Sequence, residues 1–462
     1  MFRNALQVVS VIALILLAII APVISSGYSE LRQAATAGTY PEIAKHYLTA
    51  AKRLPWRPDL YELVGTAYYH AQEYTKADDA YEKAFQRHAL SPEGWVAWGD
   101  VAYLNDDPVR ATLLWQDALK EENPSDQIYL RLAGIAQEHR DFSSAAENLR
   151  KFLSIRPEDA PAHYRLGLLL TLSEPDEAIS ELLHASQLDL QFDPVVQTLR
   201  NALNLASIND SSSERFVIIG RGLGLVNEWR LAHAAFENAI QADEKNAEAW
   251  AWLGEARQQM GWSGGDTALD SAFHLNPDSS IVRSLRGLYF QRTGNYRDAL
   301  TEFQSAARLD PENPAMFVSL GDAYAMTGNL ILGLQSYQYA TTLAPDDATY
   351  WMLLASFCAA NNANINDVGI PAAQKAVQLS PKDTATLDVL GWTYVLAGRY
   401  SEAERMLLLA LEHDPQNASA HFHVAVVYLQ TNDRVSAYDH LVRARDLGSA
   451  EADAALKQYF PQ

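Results

Sequence analysis

Four stretches of this chain carry residue types that could do chemistry. Gly261-Trp262-Ser263-Gly264-Gly265 has the G-x-S-x-G spacing that exposes a serine nucleophile on a sharp strand-to-helix turn. FVIIGRGLG, residues 216–224, reads like an apolar strand entering a glycine loop whose bare backbone could approach a dinucleotide phosphate. His421-Phe422-His423 offers two imidazoles to a metal, and Cys358 offers the chain's one thiol. Each chemistry needs support that its surroundings lack. Ser263 is preceded by AWAWLGEARQQM, which has helical rather than strand periodicity, so Ser263 as the nucleophile of a hydrolase is a remote reading. No βαβ pattern or later acidic partner surrounds the glycine stretch. Helical residues two apart point about 200° apart, so His421 and His423 cannot hold one ion between them. Asn209-Asp210-Ser211 and Asn417-Ala418-Ser419 fit the glycosylation sequon, which matters only in a host that glycosylates. No catalytic, cofactor or metal residue is assigned.

The elements that carry these residues explain them better. Residues 384–417, TATLDVLGWTYVLAGRYSEAERMLLLALEHDPQN, read as two helices. Leu387, Leu390, Val395 and Leu396 recur at helical spacing, Gly398 breaks the run, and Ala403, Leu407 and Ala410 resume it until Pro415. Gly391 and Ala403 are small enough for two antiparallel helices to close to roughly 8–10 Å, with Tyr394 and Leu407 filling the space beside them. This segment resembles the tetratricopeptide repeat (TPR). That pattern has Gly or Ala eighth, a large residue eleventh, Ala twentieth, an aromatic or Leu twenty-fourth, Ala twenty-seventh and Pro thirty-second. Gly391, Tyr394, Ala403, Leu407, Ala410 and Pro415 fill those slots.

The period recurs along the chain. Gly65, Gly99, Ala133 and Gly167 succeed one another at intervals of 34 residues, as do Gly220 and Gly254, then Gly287 and Gly321. Ala77, Ala111, Ala145, Ala178, Ala232, Ala299 and Ala437 hold the twentieth slot, and Pro157, Pro277, Pro311, Pro345 and Pro381 close repeats. The fold expected is all-α: a TPR α-solenoid, a superhelix of antiparallel helix pairs, with an N-terminal transmembrane or signal helix. A degenerate first unit (a short helix over 28–38, then one opened by Pro41) precedes four repeats beginning near residues 58, 92, 126 and 160. The phase breaks at 193–208, one amphipathic helix, and at the polar NDSSS behind it. Seven repeats follow from 214, and EADAALKQYF (451–460) reads as a cap on the last apolar face, which solenoids require. The organisation expected is therefore 1–27 anchor or signal, 28–192 N-terminal block, 193–213 extra helix and joint, and 214–462 C-terminal block.

Charge narrows the partners. Asp plus Glu outnumber Lys plus Arg by 57 to 36, a formal net charge of −21, which argues against nucleic acid because phosphate binding needs excess cations. One cysteine excludes an intramolecular disulfide framework and a zinc-knuckle spacing. Cys358 falls in the eleventh slot of its repeat, a core position.

Residues 5–24, ALQVVSVIALILLAIIAPVI, are apolar apart from Gln7 and Ser10 and carry no charge, and as a helix reach roughly 30 Å, the thickness of a hydrocarbon core. Two readings fit: a signal peptide cleaved near Val23-Ile24-Ser25, releasing a secreted adaptor, or an uncleaved single-pass anchor in the cell membrane. The length favours the anchor. Arg3 and the N-terminal amino group before the run and Arg32 and Lys45 after it leave orientation balanced, and scarce cysteine tips the domain toward the extracytoplasmic side.

What remains is binding. The TPR resemblance implies that slots two, five, nine, twelve and thirteen of each first helix face a concave groove. On this chain these include Glu62, Tyr69, Glu93, Asp100, Tyr103 and Tyr164, then Glu248, Glu255, Asp322, Trp392 and Phe422. Some of these aromatics could instead pack between neighbouring helices. An acidic, aromatic-studded groove suits a basic or amphipathic peptide segment of a protein partner. TPR domains that clamp acidic chaperone tails carry Lys at slot five and Asn at slot nine. Here those slots hold Glu62 and Thr66, Val96 and Asp100, and Leu130 and Gly134, so that role is not expected. The reading is a non-catalytic, membrane-anchored interaction scaffold that binds or regulates partners at a bacterial-type cell envelope. A regulatory subunit of an envelope glycosyltransferase or peptidoglycan enzyme would look the same in sequence.

Overall fold

The structure, a computed structural model, describes residues 20–461, and among them the regular elements are helices. The first helix covers 20–36 and pairs with Tyr40–Arg53. It is longer than the short helix expected over 28–38, because nothing in Ser25-Ser26-Gly27 stops it. The Ser26 hydroxyl donates back to the Val23 carbonyl at 2.8 Å, and Gly27 lets the helix close on Leu54, whose Cγ lies 2.7 Å from where a Cβ would stand. Residues 5–19 of the proposed anchor lie outside the described residues. Among those described, no helix is long and apolar enough to cross a membrane.

The described chain divides into two compact units, one ending at Asn204 and the other beginning at Leu205. The boundary falls inside the helix Asp193–Ser207. In the first unit, the pairs Leu60–His70 with Tyr74–Phe85, Pro92–Leu104 with Pro108–Ala118, Gln127–Glu138 with Phe142–Ile155, and Ala160–Leu170 with Pro175–Leu188 follow one another. The second unit holds seven pairs from Ser212–Leu225 to Arg434–Asp446, then the helix Ala450–Tyr459. Ala452 and Leu456 of this last helix join Ala425, Leu441 and Ala444 in one cluster, so it covers the apolar face of the final pair.

One contact repeats in nearly every pair. The eighth-slot glycine of the first helix meets the large twenty-fourth-slot side chain of the second: Gly65 faces Tyr81, Gly167 Leu182, Gly220 Phe236, Gly287 Phe303 and Gly391 Leu407. A Cβ on any of these glycines would stand 2.5–2.9 Å from the facing side chain, closer than real atoms approach. Each of those large side chains is itself fully buried.

The turns between repeats are held by a second recurring tie, from the fourth slot of the next helix. Trp250 Nε1 donates to the Glu244 carbonyl at 2.9 Å, Arg283 Nε to that of Pro277 at 2.7 Å, and Trp351 Nε1 to that of Pro345 at 2.9 Å. His163 and His421 use Nε2 in the same way, on Pro157 and Pro415. These bonds satisfy turn carbonyls that a helix end would otherwise leave open. Where a repeat is longer than its neighbours, the extra residues form the π-helical turn Ile365–Gly369, entered through Asn362 and Asn364 at positive φ.

The glycine contact yields a stability prediction. Gly391→Leu drives new atoms into Leu407 and should cost about 1–3 kcal/mol by overpacking. Denaturant unfolding with hydrogen exchange checks it, with loosening greatest at Thr384–Leu396 and Tyr400–His413, since coupling in a repeat stack is to nearest neighbours. Unchanged stability would show that the pair is not closed on that glycine.

Candidate protein-binding groove

In the first unit, the inner helices Leu60–His70, Pro92–Leu104 and Gln127–Glu138 carry a pocket of about 310 Å³. Tyr69 lies at one side, Asp100, Tyr103 and Leu104 on the middle helix, and Leu130, Arg131, Gly134 and Glu138 on the third. Three of the residues singled out from sequence, Tyr69, Asp100 and Tyr103, therefore come together.

Their electrostatics differ from a bare acidic groove. Arg131 grips Asp100 with both prongs of its guanidinium, Nε to Oδ1 at 2.8 Å and Nη2 to Oδ2 at 3.0 Å. That bond raises the Arg131 pKa above its ordinary value, and the guanidinium offsets the carboxylate it holds. The Tyr103 hydroxyl donates to Glu138 Oε1 at 2.6 Å. Tyr103 brings no counter-charge to this carboxylate, and Glu138 is exposed. Burial and the nearby Asp100 charge raise the Tyr69 pKa, keeping its hydroxyl protonated.

The other candidates lie elsewhere. Glu62 accepts from the Ser91 backbone N–H at 2.6 Å and from its hydroxyl at 2.7 Å. Ser91 in turn caps the next helix through Gly94 N. A Cβ on Gly94 would strike the Glu62 carboxylate at 2.5 Å, so this contact depends on a glycine. Glu93 is exposed on the first turn of the same helix. Tyr164 stacks on Phe192 with ring centroids 4.8 Å apart.

In the second unit, Trp392 stacks on His423 at 4.3 Å and Phe422 packs against the Leu441–Leu456 cluster. Glu255, 4% exposed, is held by both Nη atoms of Arg292 at 2.7 Å. Asp322 accepts from the Tyr337 hydroxyl at 2.6 Å, and burial pushes its pKa up. Burial likewise raises Glu248, with Arg221 opposing the shift.

Sequence reasoning did not find the partners Arg131, Arg292 and His423, which bonds to Asp388 at 2.7 Å. Their signal was present: Asp100 precedes Arg131 by 31 residues, Glu255 precedes Arg292 by 37, and Asp388 precedes His423 by 35. An acid and a base about one repeat apart face each other when inner helices run side by side.

The catalytic look-alikes resolve into the repeat. FVIIGRGLG lies within the helix Ser212–Leu225, with Gly220 against Phe236. Ser263 sits in the turn between the helices Ala247–Gln259 and Gly265–Leu275, where Arg257 holds the Gly264 carbonyl at 3.1 Å. His421 and His423 point to different partners. His421 Nδ1 meets His440 Nδ1 at 2.9 Å, and burial lowers the pKa of both rings. With Nε2 donating to Pro415, a neutral His421 accepts from His440 at Nδ1. Cys358 is buried, and burial pushes its thiol up to about 11, far from a thiolate at neutral pH. Among the described residues, no group of three or more His, Cys, Asp or Glu is arranged to hold a metal ion.

Antiparallel helix pairs closed on small residues, stacked at a fixed period within each unit, define an α-solenoid repeat protein. The tetratricopeptide repeat family model matches residues 130–189, 284–346 and 389–452. With the period and the helix pairs, this identifies the chain as a tetratricopeptide-repeat protein, a class of protein–protein interaction scaffold.

No curated protein matches the chain in sequence. Among solved structures, yeast Tom70 is 15% identical, covering 96% of this chain and 95% of its own, with a TM-score of 0.43. The APC/C hetero-tetramer Cut9–Hcn1 is 17% identical, with coverage of 97% and 98% and a TM-score of 0.40. A tetratricopeptide repeat protein from Parabacteroides merdae is 14% identical, covering 53% of this chain and 98% of its own, at 0.42.

Proposed function

We propose that this scaffold captures a basic or amphipathic segment of a partner protein in the groove of the first unit. The observation that carries the reading is the pocket in which Tyr69, Tyr103 and Leu130 supply contact surface beside the exposed Glu138. Aromatic rings bury area at little entropic cost. Carboxylates on a chain of net charge −21 steer a cation toward them. We assign the chain no catalytic step.

We further propose that the protein is held at the membrane of a bacterial-type envelope by residues 5–24, with the repeats extracytoplasmic. The uncharged run supports this reading. So does the packing just behind it: Ile24 joins the cluster of Leu54 and Leu60, and Gly27 is buried against Leu54. Cleavage between Ile24 and Gly27 would strip Ile24 from the core of the first pair.

Two measurements follow. Glu93→Lys with Glu138→Lys should weaken a fluorescein-labelled Lys/Arg-rich amphipathic peptide roughly tenfold at low ionic strength, and less at high salt as screening removes the steering. Tyr103→Ala should weaken it with little salt dependence. Unchanged binding by folded variants would place the capture surface elsewhere. For the anchor, the full-length protein should stay with membranes through alkaline carbonate washing and keep Met1 or Phe2 as its N-terminus. A mature chain starting near Ser26 would instead establish the secreted form.

A further inference from the structure

Gly134 stands apart from the other glycines of the inner helices. It lies inside Gln127–Glu138, where glycine costs a helix about 1 kcal/mol relative to alanine. Elsewhere such a glycine answers a close contact: Gly65, Gly167, Gly287 and Gly391 each face a side chain within 3 Å of the Cβ position. Around the Cβ position of Gly134 there is nothing within 4 Å. The small slot of this repeat is already filled by Ala133, which is 1% exposed, so Gly134 does not serve the helix pair. Its backbone conformation is helical and needs no glycine either.

What Gly134 does is leave space in the groove. Leu130, Gly134 and Glu138 are spaced four apart and share one helix face. All three line the 310 Å³ pocket, with Tyr103 opposite. Along that face the order is an apolar side chain, a gap and a carboxylate. The gap is bounded by Leu130 and Ile135 and by the Tyr103 ring, while the Asp100 charge beside it is already matched by Arg131. Any side chain on Gly134 would project into this gap.

We infer that the space over Gly134 is a subsite for one bulky apolar side chain of the partner, leucine or phenylalanine in class, with an adjacent Lys or Arg of the same segment meeting Glu138. The inference rests on the proposed capture of a basic segment and specifies what that segment carries. The exposed Glu138 carboxylate at the mouth supplies the charge complementarity. The absent side chain supplies the shape.

The test uses the full chain in detergent and short fluorescein-labelled peptides of Lys, Ser and Gly that differ only in a central alanine, leucine or phenylalanine. On the natural protein the leucine or phenylalanine peptide should bind at least about tenfold tighter than the alanine peptide, the discrimination an apolar pocket gives for a few added carbons. Gly134→Leu fills open space, so the fold should be intact by circular dichroism. It should nonetheless bring the leucine and phenylalanine peptides down to the alanine level. Gly134→Ala should raise thermal stability while keeping most of the preference for leucine. Glu138→Gln should weaken all three peptides alike, with the loss fading at high salt. Equal binding of the three peptides by the natural protein, or a preference that survives Gly134→Leu, overturns the subsite while leaving capture of a basic segment standing. Binding of none of the peptides overturns the basic-partner reading itself.

Discussion

The structure depends on how closely two helices can approach. Where an eighth-slot glycine faces a large side chain fifteen or sixteen residues later, the pair closes over that side chain, burying it completely at Tyr81, Phe236, Phe303 and Leu407. The flank of each closed pair then offers a surface for the next. The fourth-slot ties to turn carbonyls fix where that next pair begins. Nothing in this scheme needs contacts distant in sequence, which is why lengthened repeats such as the one with the π-helical turn are absorbed locally.

Because the fold is local and periodic, it could be read directly from the chain. Gly391, Ala403, Leu407 and Pro415 announced their helix pair through size and backbone chemistry alone, and the same slots recurred elsewhere. The look-alike motifs failed for the same reason: Gly220 belongs to the period, and Ser263 sits in the turn between two helices. The first helix is longer than its repeat slot implies, because it continues through Ser25-Ser26-Gly27 by a serine bond to the preceding turn and a glycine pressed on Leu54.

The groove was less legible, and the physical reason is pairing across repeats. A carboxylate at an inner-helix slot looks free in sequence, yet Asp100 and Glu255 are each clamped by an arginine from the next inner helix, and Glu62 braces a helix start. Such pairs tie one repeat to the next and take charge out of the proposed binding face. The acidity available to a partner is therefore concentrated at exposed groups such as Glu138 and Glu93 rather than spread over every acidic slot. Aromatics divide by place: Tyr164, Trp392 and Phe422 stack or pack on neighbours outside the pocket, whereas Tyr69, which also meets the Tyr74 ring, and Tyr103 line it.

The central claim is that the inner helices of the first unit are where a partner is held. Hydrogen–deuterium exchange of the full chain, with and without a saturating Lys/Arg-flanked apolar peptide, tests it most directly. The account predicts slowed exchange confined to Leu60–His70, Pro92–Leu104 and Gln127–Glu138, with the outer helices Tyr74–Phe85 and Pro108–Ala118 unchanged. Protection that maps instead to those outer helices, or to the second unit alone, would contradict it.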